Sequence, residues 1–419
     1  MIRKIAALPK RLKFLLLVVS VVFLLALTVI AIHLLGNKEP TDQPSDPKRD
    51  VIGASTLSPN SPISERRADQ TKLNEGITSI KSSIKAEKFV LKILYYRASI
   101  PYWDQQRAFA SFRENVSSFD YLTLFWYTLR ADGSIRKYIY AVEDKTIIDF
   151  AHKNGVKVFG LIANLPDEDE GGSWDSDRVA KVIGSSSARA SHINNIVNLA
   201  EKMNFDGISI DYEELETSQK NNFTIFIRDL ASALHKKGKL LGLAIHPKTS
   251  EGKPSEDNGS AAQDLLALSL AADQLYFMAY GEHWDDSDAG PIAGVPWVSR
   301  VINYALSIGV PRKKIFMGVP LYGLDWPKNG AGYGTANGLT YSEVASLLKT
   351  YNPKVSIDTI EGAAHFTYKS GGKTHEVWFE NYQSIQPKLS FAKSLGISAT
   401  FWRLGGEDPR IWPTLSSFR

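Results

Sequence analysis

The sequence predicts an α/β chain folded as a (β/α)8 TIM barrel, with a small α+β insertion between the seventh and eighth strands. Three observations lead there. From Phe89 onward, segments rich in β-branched and aromatic residues alternate with helical segments, the rhythm of a parallel sheet with crossover helices. The alternation reaches eight strands, which close into a barrel. No Gly-x-Gly-x-x-Gly follows the first strand, which weighs against a doubly wound sheet.

The strands read as residues 90–96, 121–127, 156–163, 205–213, 240–246, 274–280, 315–321 and 398–404. The helices read as residues 145–153, stopped by Asn154-Gly155, then 188–203, 219–237 before Gly238, 265–271, 297–307 and 387–395. Residues 323–382 are too many for a simple loop. They hold a helix over 341–348 and a hairpin, 365–369 with 374–379, around Ser370-Gly371-Gly372-Lys373. The catalytic barrel then spans 89–419, and its insertion lies on the C-terminal face, where barrel active sites sit.

Ahead of the barrel, residues 14–35 are an uncharged apolar run of 22 residues. As a helix the run spans roughly 33 Å, enough for a hydrocarbon core. A signal-peptide apolar region is usually about 7–15 residues long, so the run reads as a retained transmembrane anchor. The tail at 1–13 carries Arg3, Lys4, Lys10, Arg11 and Lys13. The positive-inside rule puts that tail in the cytoplasm and the barrel outside. Residues 36–88 are rich in Pro, Ser, Asp and Asn and read as a stalk. Within it, Leu73, Ile77, Ile80 and Ile84 have the spacing of a short helix over 71–87. The expected location is the cell membrane, single-pass, with the catalytic domain extracytoplasmic.

Hydrophobic residues make up 43% of the chain, which allows a sizeable core. Net charge is +4, and the basic tail alone contributes five positive charges. The remainder is near neutral, which argues against nucleic-acid binding. The absence of Cys excludes disulfides, thiolate catalysis and Cys-based metal sites. The His residues have no His-Glu-x-x-His spacing.

The fourth strand carries the chemistry. In Phe205-Asp206-Gly207-Ile208-Ser209-Ile210-Asp211-Tyr212-Glu213, strand alternation puts Ile208, Ile210 and Tyr212 on one face. Gly207, Ser209, Asp211 and Glu213 share the other face, directed into a protected interior. Asp211 and Glu213 fall at the strand's C-terminal end, about 6.5–7 Å apart at their origins. Desolvation and a negative neighbour both raise a carboxyl's pKa, which makes a proton donor near neutral pH. Glu213 reads as the general acid, Asp211 as its partner, and Asp206 stands at the strand's start. On spacing alone, a divalent cation held by these acids and a purely structural hydrogen-bond network stay open.

The octet Asp206–Glu213 resembles the Asp-x-x-Asp-x-Asp-x-Glu signature of glycoside hydrolase family 18, the chitinase-like family. Met278-Ala279-Tyr280, Gly318-Val319-Pro320-Leu321-Tyr322-Gly323 and Trp402 resemble further family motifs, so the similarity covers roughly residues 89–419. Gly290-Pro291-Ile292-Ala293, Trp378-Phe379-Glu380 and Trp402-Arg403-Leu404-Gly405-Gly406 are similar to the bacterial branch of spore-germination and cortex-lytic hydrolases. The resemblance implies a glycosidase acting on an N-acetylglucosamine-containing polysaccharide, peptidoglycan or chitin-like, by substrate-assisted retention. It implies Glu213 as acid and base, Asp211 as the group that orients the substrate acetamido N–H, and Tyr280 as donor to the acetamido carbonyl, with no metal or organic cofactor needed. Trp402 would floor the sugar pocket, and Asp206, Ser209, Met278, Trp284 and Tyr322 complete the expected substrate-binding set. The rival reading is a lectin-like, non-catalytic carbohydrate-binding member of the cell surface.

Three departures stand out. Ser209 replaces the middle acid of the motif, which leaves Asp211 a weaker proton partner. Gly281 follows Tyr280 where many members carry Asp, with Glu282 and Asp285 as candidate substitutes. The third strand ends Gly160-Leu161-Ile162-Ala163-Asn164, without the Ser-x-Gly-Gly common in chitinases. Trp126, Trp297 and Trp326 read at least as well as packing residues as sugar platforms. His246 reads as a satisfied core histidine, and Asp167-Glu168-Asp169-Glu170 as a solvated loop.

Overall fold

The computed structural model describes residues 93–251, 259–330 and 332–419. The anchor at 14–35, the stalk and the 71–87 helix lie outside the described residues. Among the described residues, no helix is long and apolar enough to cross a membrane.

Eight parallel strands form the barrel: β1 (Tyr96–Pro101), β2 (Tyr121–Leu129), β3 (Lys157–Ala163), β4 (Gly207–Asp211), β5 (Leu240–Ile245), β6 (Gln274–Phe277), β7 (Ile315–Pro320) and β8 (Ser398–Trp402). They pair in sequence order, and β1 closes the ring by pairing with both β2 and β8. The helices between these strands are α1 (Gln105–Glu114), α2 (Lys145–Lys153), α3 (Ser176–Ile183), α4 (Ser186–Lys202), α5 (Lys220–His235), α6 (Leu265–Ala271) and α7 (Val295–Ser307). After them come α8 (Tyr341–Tyr351), in the insertion, and α9 (Ile385–Leu395).

Local chemistry explains many of the boundaries. Asp144 and Ser185 cap α2 and α4 by accepting the N–H groups of Thr146 and Ala188. Thr340 and Glu343 form a reciprocal capping box at α8. On β4 the alternation is as read: Ile208 and Ile210 are buried, and Tyr212 donates outward to His192 Nε2 at 2.7 Å, the ring's Nδ1 donating to Gly133 O. Gly160 on β3 admits the Phe205 ring, which any Cβ there would strike. Inside the barrel, Tyr121, Phe159, Tyr276 and Phe316 meet edge to face and fill its lower half.

Three expectations are corrected. The first strand is Tyr96–Pro101 rather than 90–96, because its register with Ala399 to Phe401 and with Tyr121 to Phe125 places it later. Inward-facing Arg97 and Ser99 disguise this stretch by breaking its apolar pattern. Helices α1 and α3 were not expected, the first because Gln105, Gln106, Arg107, Arg113 and Glu114 make it largely polar. The insertion is richer than one helix and a hairpin. A six-stranded sheet, led by Gly323–Asn329, Ala363–Ser370 and Lys373–Phe379, packs Val344, Phe366, Val377 and Phe379 into a core of its own.

Candidate active site

A cavity of about 240 Å³ opens at the C-terminal mouth of the barrel. Asp211 and Glu213 line it together with Arg97, Met278, Tyr280 and Trp402. The inward face of β4 therefore delivers the two acids to the mouth, as the alternation requires. Asn164, fully buried just beyond β3, fixes the end of that strand. Its Nδ2 donates to the Glu213 carbonyl at 3.0 Å, and its Oδ1 accepts the Glu213 N–H at 2.8 Å. The next residue, Glu214, adopts φ 56°, so the chain turns away at once and leaves the Glu213 side chain at the cavity wall.

The two carboxyls share a hydrogen bond, and both are held above the ordinary carboxylate range. For Glu213 the first cause is burial, followed by the negative charge of Asp211. For Asp211 burial leads again, opposed by that shared hydrogen bond and by the nearby Arg97 guanidinium, and the value reaches about 6. The proton of the pair thus belongs on Glu213, which donates to an ionised Asp211. Asp211 Oδ1 is buried and has no hydrogen-bond partner among the described residues. Burial also pushes the Tyr280 hydroxyl well up, with Tyr322, Asp211 and Glu213 adding to the shift, so Tyr280 is a neutral donor at any working pH. Such a pair is equipped to give a proton to a leaving group and to hold a second group with a fixed negative charge.

The structure brings Asp211, Glu213, Met278, Tyr280 and Trp402 into one cavity. Ser209 lies one layer below, buried, where it accepts from Arg97. Tyr322 lines an adjoining cavity of about 400 Å³, which shares Trp402 and runs toward the insertion. Asp206 is not brought to the mouth. It sits at the opposite end of β4, where its carboxylate accepts the Val158 N–H at 2.8 Å and meets His152 Nε2 at 2.8 Å. Trp284 stands on the loop after β6, 55% exposed and outside the cavity lining.

Other readings shift as well. His246 Nε2 lies 3.8 Å from Glu213 Oε2, so this histidine borders the acid rather than the core alone. Asp167 is fully buried and ion-paired with Arg136 at 2.8 Å, while Asp169 and Glu170 also engage Arg136. Glu168, Asp169 and Glu170 are exposed as a solvated loop requires, and buried Asp167 is the exception. Glu282 accepts the Gly294 N–H at 2.8 Å and is committed there. Trp126 and Trp326 are fully buried core residues. Among the described residues, no cluster of three or more His, Asp or Glu is placed to hold a metal ion.

Sequence reasoning missed Arg97, Trp103, Phe125 and Trp174, all on the cavity wall. Trp103 meets Trp402 edge to face at 6.1 Å and is 47% exposed, a platform beside the expected floor. Its position directly after the first strand was a usable signal, since strand ends build the mouth.

The comparisons with known proteins agree with this geometry. The model of glycosyl hydrolases family 18 matches residues 170–407, more than half of the chain. The cortical fragment-lytic enzyme of Bacillus anthracis is 28% identical over 301 residues, covering 70% of this chain and 67% of that protein. Among solved structures, the chitinase of Chromobacterium violaceum superposes with a TM-score of 0.69 at 28% identity, covering 77% of this chain and 98% of that one. The spore cortex-lytic enzyme SleL of Bacillus cereus superposes with a TM-score of 0.70 at 26% identity, covering 78% and 75%. The chain belongs to family 18 of the glycosyl hydrolases, and its activity class is that of a glycosidase.

Proposed function

We propose that this chain cleaves a β-linked, N-acetylglucosamine-containing polysaccharide of the cell wall by a retaining, substrate-assisted mechanism. The observation that carries the reading is the proton-sharing pair of Asp211 and Glu213 at the cavity wall, with the neutral Tyr280 hydroxyl beside it. Glu213 gives its proton to the glycosidic oxygen as the bond to the anomeric carbon breaks. The substrate's 2-acetamido oxygen forms the new bond to that carbon, giving an oxazolinium ion. Asp211 accepts from the acetamido N–H through an oxygen that has no other partner among the described residues. Tyr280 donates to the acetamido oxygen and aligns it. Glu213, now a carboxylate, takes a proton from water, whose oxygen attacks the anomeric carbon from the face the leaving group vacated as the bond from that carbon to the acetamido oxygen breaks and the acetamido group is restored. The configuration is retained and the acid is restored.

The names of the relatives, cortex-lytic and cortical fragment-lytic, favour peptidoglycan as the polymer. The test is digestion of purified cell wall and of N-acetylglucosamine oligomers, with product masses and the anomer of the first-formed product. Cleavage with β-anomer products is expected. Initial α-anomer products, or no cleavage of either substrate with binding intact, would overturn the reading.

We place the enzyme on the outer face of the cell membrane, held by residues 14–35. The support is the length of that apolar run and the basic tail before it. Washing membranes with alkaline carbonate should leave the chain in the pellet, and external protease should remove the barrel from intact protoplasts. Release by the wash would contradict the anchor.

A further inference from the structure

Beneath the acid pair, the barrel holds a full positive charge. Arg97 projects inward from β1 and is only 3% exposed. A buried guanidinium is costly unless another charge compensates it. Its direct contacts are all neutral. Nη2 donates to Ser209 Oγ at 2.9 Å and Nη1 to Thr400 Oγ1 at 3.4 Å. The guanidinium carbon lies 3.4 Å from the centroid of the Tyr276 ring, a cation–π contact. Nε has no hydrogen-bond partner among the described residues.

The shelf under Arg97 is fixed. Tyr276 donates to Gln274 Oε1 at 2.7 Å, which anchors its ring in place. Gly242 on β5 makes room for it, since a Cβ there would overlap the Tyr276 hydroxyl. The arginine is thus held from below by an aromatic face and from the side by two hydroxyls, and none of these contacts neutralises it.

Among the groups whose charge acts on Arg97, Asp211 is the carboxylate. It follows Ser209 by two residues on the same inward face and shares the cavity with Arg97. The other titratable groups facing the pair are Tyr276 and Tyr280 from β6 and the segment after it, and Tyr138 beyond β2. His246 beyond β5 and Glu214 lie next to Glu213. Burial raises all three tyrosines, so they stay neutral. Burial lowers Arg97 from the usual guanidinium value, yet an arginine side chain keeps its proton in proteins, so Arg97 is the cation of the group.

Resting on the assignment of Asp211 and Glu213 as the acid pair, we propose that Arg97 is a positioning residue that keeps Asp211 ionised, so that the pair's proton stays on Glu213. Ser209 is the small polar residue that lets it do so. It gives the guanidinium a seat without giving it a carboxylate, and the charge remains available to Asp211. Arg97 transfers no proton. It acts by biasing which carboxyl holds the proton.

Two readouts on the purified full-length chain test this. The first is independent of activity: Tm against pH for wild type and Arg97→Met, an apolar residue of similar length. Without the cation, Asp211 keeps its proton to higher pH, so the variant's Tm should go on falling relative to wild type as pH rises above about 6. In an Asp211→Asn background, the same exchange should give parallel curves. The second readout is the acid limb of kcat/KM on an N-acetylglucosamine oligomer. It should move up by at least about one unit in Arg97→Met, a tenfold or greater loss below the limb, while the alkaline limb stays in place. Ser209→Asp gives Arg97 a carboxylate of its own and should move the acid limb the same way, which keeps the test alive if Arg97→Met does not fold. Parallel Tm curves for wild type and Arg97→Met, or an unmoved acid limb in both variants, overturn the proposal. Diverging Tm curves in a protein that cleaves no oligomer would instead uphold Arg97 and sink the glycosidase mechanism.

Discussion

Asn164 offers the sharpest check on how the acid is held. Replacing it with Ala removes both partners of the Glu213 main chain, the 3.0 Å and 2.8 Å hydrogen bonds, from a fully buried position. An unsatisfied buried backbone group costs about 1–3 kcal/mol, so the pair of losses, partly relaxed, amounts to about 2–4 kcal/mol. For a domain of this size that lowers Tm by a few degrees. The catalytic effect should be larger. The Glu213 side chain departs from a main chain that nothing else on β3 pins, and displacement of a reacting group by about 1 Å can cost a hundredfold in rate. Asn164→Ala should therefore lose about ten- to a hundredfold in kcat with little change in KM. The assay is thermal unfolding paired with steady-state hydrolysis of a chromogenic N-acetylglucosamine oligomer. A variant with wild-type kcat would refute the idea that Asn164 sets the acid's position.

Two further predictions concern stability. His192 is buried between Gly133 O at 2.8 Å and the Tyr212 hydroxyl, and burial lowers it from 6.5 to about 4. The unfolded chain binds this proton first, so the stability contributed by neutral His192 is present above pH 6.5 and is lost as pH falls toward 4. The full effect is on the order of 3 kcal/mol, and denaturant titrations at pH 7 and pH 4.5 should show most of it in wild type and little in His192→Asn. Lys388 pairs with Glu380 at 2.8 Å, both side chains being essentially inaccessible. Lys388→Met strands the carboxylate and should cost about 3–5 kcal/mol, while adding Glu380→Met should recover much of that loss. Equal stabilities for the single and double variants would contradict this.

What the sequence revealed and what it hid follow from the range of the interactions. Residues 145–153 matched α2 residue for residue because Asn154-Gly155 ends the helix locally. The fourth strand gave up its acids because period-two alternation acts over adjacent residues. Arg97 was invisible for the opposite reason. Its meaning lies in Ser209, 112 residues away, and in Tyr276 on a third strand. Asp206 was drawn into the site by its place in the motif, yet the strand runs upward from it, so the first acid of the octet belongs to the barrel's lower end. His246 and Trp103 lie just past the ends of strands, and ring closure, not composition, carries them to the mouth.

The role proposed for Glu213 is that of the acid that breaks the glycosidic bond. Its most direct test is the hydrolysis rate of N-acetylglucosamine oligomers by wild type and by Glu213→Gln, with oligomer binding followed by tryptophan fluorescence on both. A loss of about a hundredfold to ten-thousandfold in kcat with binding retained is expected. Equal rates in the two proteins would contradict it.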